Sequence, residues 1–150
     1  MSQNFDEFKK KIENNNIKKI WNNHIGVKKK FFDFFYEDLL LYKKPNILEF
    51  GVRHGVSTAL FLDVCKKNDG FLYSVDVNDY SFQFKNHKWK FILAKDDDYE
   101  KVEKEIPREF DIIFLDTIHK ANHVEKIFYS YYKKLKVGGC STSYLAKKPL

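Results

Sequence analysis

A chain of 150 residues forms one domain, and 43% hydrophobic content with 15 Phe and 9 Tyr supports a sizeable aromatic core. Its 27 basic and 21 acidic residues leave +6, yet the lysines run along helical faces, as in Lys9-Lys10-Lys11 and Lys28-Lys29-Lys30, without the stacking aromatics of a nucleic-acid module. No stretch reaches the roughly 18 apolar residues of a membrane span, the start lacks a signal-peptide core, and Cys65 and Cys140 lack zinc-site spacing; a reducing cytoplasm is the expected compartment.

Residues 3–42 read as helical, with weak breaks near 14–16 and at Gly26. Phe31, Phe35, Leu39 and Tyr42 recur on one helical face, suited to packing on a sheet or covering a pocket. Pro45 ends this segment. Residues 46–57 then read N-I-L-E-F-G-V-R-H-G-V-S, a short apolar strand, a turn between Gly51 and Gly55, and the start of an amphipathic helix over 56–67 with Ser57 as its cap. Strand, glycine turn and helix N-terminus together make a site for a nucleotide-like ligand. A dinucleotide site wants a glycine where Arg53 stands. Glu49 is unwelcome beside a phosphate but suits an ammonium or sulfonium, which points to S-adenosylmethionine.

Asn68-Asp69-Gly70 stops the helix, and residues 71–75 form a second strand ending at Asp76. Asp76 stands about 20 residues beyond Gly55, the distance at which an acid meets a ribose. Residues 78–88 read as a loop or a brief helix, and 91–94 as a third strand followed by Asp96, Asp97 and Asp98, the last suited to capping a helix over 99–105. Residues 111–115 are the most apolar strand and therefore central, ending at Asp116 with His119 three positions on. An amphipathic helix from Asn122 closes at Gly138-Gly139. Strands alternating with helices, with no hairpin turns, predict a parallel α/β sheet whose ligand lies beyond the strands' carboxyl ends. Glu49, Asp76, Asp96 and Asp116 are all expected on that rim.

The run E-F-G-V-R-H-G-V-S resembles the first motif, acidic-x-Gly-x-x-x-Gly, of class I S-adenosylmethionine-dependent methyltransferases. More narrowly, it is similar to the branch of small-molecule and sugar O-methyltransferases and cephalosporin-hydroxylase-like proteins. The resemblance spans about residues 46–139. It implies a Rossmann-like sheet ordered 3-2-1-4 and possibly 5, with an N-terminal helical piece (1–44) that helps close the site, a cofactor-binding core (46–139) and an irregular tail (140–150). It further implies cofactor contacts by Glu49, Gly51, His54, Gly55, Ser57, Asp76, Asp116 and one of Asp96 or Asp97, the latter pair near the adenine amino group. His119 reads either as the base for an acceptor hydroxyl or as a helix-entry surface residue. Asp116 orients it, touches the cofactor, or binds a divalent cation as in catechol-type relatives. His119 and His123 share a helix face, a spacing that also suits a metal, although no H-E-x-x-H pattern accompanies them.

The chain departs from that pattern after Gly139. The family's later strands, and the acidic segment that usually follows strand five, are absent; residues 140–145 make a poor fifth strand. A truncated enzyme is the expectation, with the edge of strand four open and able to pair two copies. The functional expectation is O-methylation of a sugar or other small hydroxyl compound, the alternative being a fragment that binds cofactor without catalysis.

Overall fold

Three helices lead the chain: α1 (Ser2–Lys11), α2 (Asn15–Asn22) and α3 (Ile25–Leu39). The break between the first two is Asn14, whose side-chain oxygen accepts from the N–H groups of Asn16 and Ile17 and so starts α2. The computed structural model describes residues 2–23, 25–117 and 120–143. After the leading helices, β1 (Asn46–Phe50), α4 (Val56–Asn68), β2 (Phe71–Asp76), β3 (Trp89–Leu93), α5 (Tyr99–Glu103), β4 (Phe110–Leu115), α6 (Ala121–Tyr131), a short 3-10 turn (Tyr132–Lys134) and β5 (Leu135–Ser143) follow. The strands pair in the order β3-β2-β1-β4-β5, all in parallel. Residues 78–88 form an irregular loop.

Alternation along the strands divides the interior into two apolar layers. Ile47, Leu72, Ile112 and Phe114 face α1–α4, meeting Phe8, Trp21, Phe32 and Phe61. Leu48, Phe50, Val75, Ile113 and Leu115 face the other way, against Val102 of α5 and Ile127 and Tyr131 of α6. The first layer is strongly aromatic: Phe8 meets Trp21 edge-on at 4.9 Å, and Phe32 stacks on Tyr36 at 4.2 Å.

The structure changes the reading of α4. Residues 57–65 are all buried, so the helix is enclosed on every side instead of showing one wet face. The cause is the N-terminal segment, which covers the side of α4 turned away from the sheet. One polar cluster ties the two together: the buried Tyr36 hydroxyl donates to Asp63, and Lys67 donates to Tyr36. Cys65, within the same helix, has its thiol pushed up to about 12 by burial, which makes it an inert core residue.

The fifth strand also corrects an expectation. It begins at Leu135, well before residue 140, and pairs along β4 from Phe110 to Leu115. The edge of β4 is therefore covered, and the pairing of two copies through it is not available. Gly138 and Gly139 do not stop the chain; they are taken into an irregularity of register between Phe110 and Ile112. A Cβ at Gly139 would lie 2.8 Å from the Asp111 carbonyl oxygen, so only glycine lets the strand come this close. Among the described residues, no helix is long and apolar enough to cross a membrane.

Candidate functional site

The order β3-β2-β1-β4 places the switch in strand direction of travel between β1 and β4, and a crevice opens there beyond the carboxyl ends. It holds a cavity of about 710 Å³, within the range of small-molecule sites. Its walls come from the turn after β1 (Gly51, Arg53), the tip of β2 (Asp76, Asn78, Tyr80), the tip of β3 (Lys95, Asp96, Asp97), the tip of β4 (Asp116, Thr117) and His123 of α6.

Glu49 is the exception to the expected convergence. It is fully buried beneath the turn and forms no part of the cavity wall. The alternation that sends Ile47 towards α4 sends Glu49 there as well. Its carboxylate accepts from Thr58 at 2.8 Å, from Ser74 at 2.7 Å and from Ser57. Burial pushes its pKa up to about 7, against the three hydroxyl bonds that favour the charged form, and nearby Asp116 adds to the rise. Ser57 therefore serves Glu49 and does not cap α4, whose N-cap is Gly55 with no side-chain bond.

The two glycines of the turn make room for protein. Gly51 lines the cavity at φ +96°, but a Cβ there would sit 2.0 Å from the backbone oxygen of Asp116. Its bareness lets the tips of β1 and β4 close together. Gly55, at φ +75°, is buried away from the cavity, and a Cβ would meet Gln83 Oε1 at 2.6 Å and Ile17 Cδ1 at 2.9 Å. Gly55→Ala should cost about 2 kcal/mol, from combined strain and overpacking; urea unfolding of the variant against the wild type measures it. His54 is exposed and does not line the cavity.

Asp76 stands at the β2 tip as expected, with partners that the sequence did not suggest. Its Oδ2 accepts from the backbone N–H of Val52 at 2.8 Å and of Arg53 at 3.2 Å, and its Oδ1 from that of Asn78 at 3.0 Å. The carboxylate thus latches the glycine turn. Of about four acceptor positions on a carboxylate, one remains for a ligand hydroxyl.

Asp96 and Asp97 both reach the cavity, while Asp98 caps α5 by accepting from Lys101 N–H. Asp96 Oδ2 lies 2.8 Å from His123 Nε2, and its backbone oxygen accepts from the Tyr131 hydroxyl. His123 is thus engaged with a carboxylate. Asp97 pairs with Lys126 at 3.6 Å. Asp116 lines the cavity at the β4 tip. His119 lies outside the described residues. Among the described residues there is no group of three or more His, Cys, Asp or Glu that could hold a metal ion.

Arg53, Tyr80, Lys95 and Gln83 were not singled out by sequence as parts of this site, and His123 only as a metal-spaced neighbour of His119. Gln83 Nε2 donates to the Arg53 carbonyl at 2.6 Å, and the Gln83 carbonyl accepts from Asn14 Nδ2 at 3.3 Å. The break before α2 is thereby connected to the glycine turn. No sequence signal marks Gln83, because its role depends on how an irregular loop folds back.

The residues present fit S-adenosylmethionine. The donor groups of a ribose and an adenine amino group need acceptors, and Asp76, Asp96 and Asp97 supply them along one wall; Asp116 offers a carboxylate beside the turn.

Comparison with known proteins agrees with the fold. A methyltransferase-domain family model matches residues 48–142, well over half of the chain. No curated protein matches it. Among solved structures, it is similar to a SAM-dependent methyltransferase from Archaeoglobus fulgidus (TM-score 0.48, 18% identity, 72% of this chain and 48% of that one). It is also similar to CalS11, a TDP-rhamnose 3'-O-methyltransferase of calicheamicin biosynthesis (TM-score 0.58, 14% identity, 95% of this chain and 76% of that one). The chain thus spans about half the length of the first of these and three quarters of the second. With the family model extending from β1 into β5 over a parallel sheet of this order, the chain belongs to the class I S-adenosylmethionine-dependent methyltransferase family.

Proposed function

We propose that the protein binds S-adenosylmethionine in the cavity beyond β1, β2, β3 and β4 and methylates a hydroxyl of a small acceptor, a sugar or a comparable molecule. The observation that carries this reading is the delivery of Asp76, Asp96, Asp97 and Asp116 to one cavity wall by three separate strands. The sugar preference draws on the likeness to CalS11.

The cofactor, when bound, supplies a sulfonium-activated methyl group and leaves as a neutral thioether. Asp76 holds the ribose through its remaining acceptor position while keeping the turn in place. Asp96, held by His123, and Asp97 accept from the adenine amino group. Asp116 faces the amino-acid end of the cofactor. His119, three residues beyond Asp116 in sequence, would take the proton of the acceptor hydroxyl. Glu49 acts beneath the turn as support and makes no ligand contact.

Isothermal titration with S-adenosylmethionine and S-adenosylhomocysteine is the direct test, followed by transfer of labelled methyl to a panel of sugar and phenolic hydroxyls. Saturable binding with transfer is expected. Binding without transfer to any hydroxyl favours a cofactor-binding domain without catalysis, and no binding at millimolar cofactor sinks the reading altogether.

A further inference from the structure

The middle of the glycine turn is Arg53, a large side chain at φ +51°. That left-handed conformation is unfavourable for an L-residue, and strained residues of this kind persist where neighbouring structure holds them. Two grips hold this one. Asp76 accepts from its N–H, and Gln83 donates to its carbonyl. The tip of β2 and the loop that follows it thereby clamp both sides of a single residue that lines the cavity.

The charges around the cavity are unevenly committed. Asp76 carries three backbone N–H groups, Asp96 is bonded to His123, and Asp97 pairs with Lys126. Arg53 and Lys95 also line the cavity, and among the described residues neither has an ion-pair partner. Two cations on the cavity wall without an ion-pair partner among the described residues suit a ligand that brings a negative charge. A guanidinium offers a planar fork that binds carboxylate or phosphate through two parallel bonds.

We propose that Arg53 is the anion-recognition residue of this cavity, clamped by Asp76 and Gln83 so that its guanidinium takes a carboxylate or phosphate of the bound ligand. The inference rests on the ligand cavity assigned above and narrows what it accepts. The anion has two sources, the amino-acid carboxylate of the cofactor or an acidic group on the methyl acceptor.

The test compares wild type, Arg53→Gln and Arg53→Gly by isothermal titration with three probes. S-adenosylhomocysteine has the carboxylate, 5'-methylthioadenosine shares the nucleoside but lacks it, and inorganic pyrophosphate is an anion with no nucleoside. If the anion is the cofactor's, both variants lose about tenfold or more for S-adenosylhomocysteine and bind 5'-methylthioadenosine as the wild type does, a loss of about 1.4 kcal/mol. If the anion is the acceptor's, both nucleosides bind unchanged and pyrophosphate binding is lost. Arg53→Gly separates recognition from folding, because freeing the left-handed backbone should raise its melting temperature while anion binding falls. A glycine variant that melts lower, or unchanged binding of all three probes by both variants, overturns the proposal. Failure of the wild type to bind either nucleoside removes the cofactor reading, and the pyrophosphate titration then decides the role of Arg53 alone.

Discussion

Asp76→Ala is expected to weaken S-adenosylhomocysteine binding by about two orders of magnitude or more. A ribose contact alone reaches that only at the top of its range, since one hydrogen bond to a charged group contributes about 1.5–3 kcal/mol. The same carboxylate also holds the amides of Val52 and Arg53. Val52 is 3% exposed, so its freed N–H loses a partner where water reaches poorly. Loss of the ribose bond together with a loosened turn brings the deficit to about 3–4 kcal/mol, which is a hundredfold or greater. Titration calorimetry measures the affinity, and amide hydrogen exchange at Val52 and Arg53 reports the turn. Protection unchanged at both amides would sink the latch, and unchanged affinity would sink the ribose assignment.

Between about pH 4 and pH 8, Glu49 alone should remove about 3 kcal/mol of stability. In the unfolded chain its carboxyl titrates at its ordinary 4.5, whereas burial in the folded protein pushes it up to about 7. Over that interval the folded state holds a proton that the unfolded state has released. The stabilisation is complete below 4.5 and is lost as pH rises through 7, the reverse of the usual salt-bridged acid. Other carboxylates change stability over the same range, so the informative quantity is the difference between wild type and Glu49→Gln. Chemical denaturation at several pH values should show the two converging or crossing as pH rises. Parallel curves would mean that Glu49 is ionised throughout, with its three hydroxyl partners outweighing burial.

The first four strands were legible because each is an apolar run that ends at or shortly before a glycine or an acid. The strand tips bearing Asp76, Asp96 and Asp116 were legible for the same reason. Glu49 was misplaced, although strand parity held a clue: a residue that shares a face with Ile47 points into a helix layer, and the rim begins only at Gly51. The hydroxyls that receive it, Ser57, Thr58 and Ser74, come from two other elements, so their meeting is a property of the fold. Gly138-Gly139 carries the usual signature of a stop, and only the near approach of Asp111 shows that it belongs inside a strand. The enclosure of α4 was hidden because the helices that cover it lie far away in sequence.

The alternation in β1 has an evolutionary consequence. Losing or gaining one residue between Pro45 and Gly51 would exchange the faces of the whole strand, sending the Glu49 carboxyl among Val102, Ile127 and Tyr131 and a leucine against three hydroxyls. Descendants of this gene can therefore exchange one aliphatic for another along that strand, but they should not change its length. Insertions and deletions should instead gather in the irregular stretch after β2, away from the clamp at Gln83.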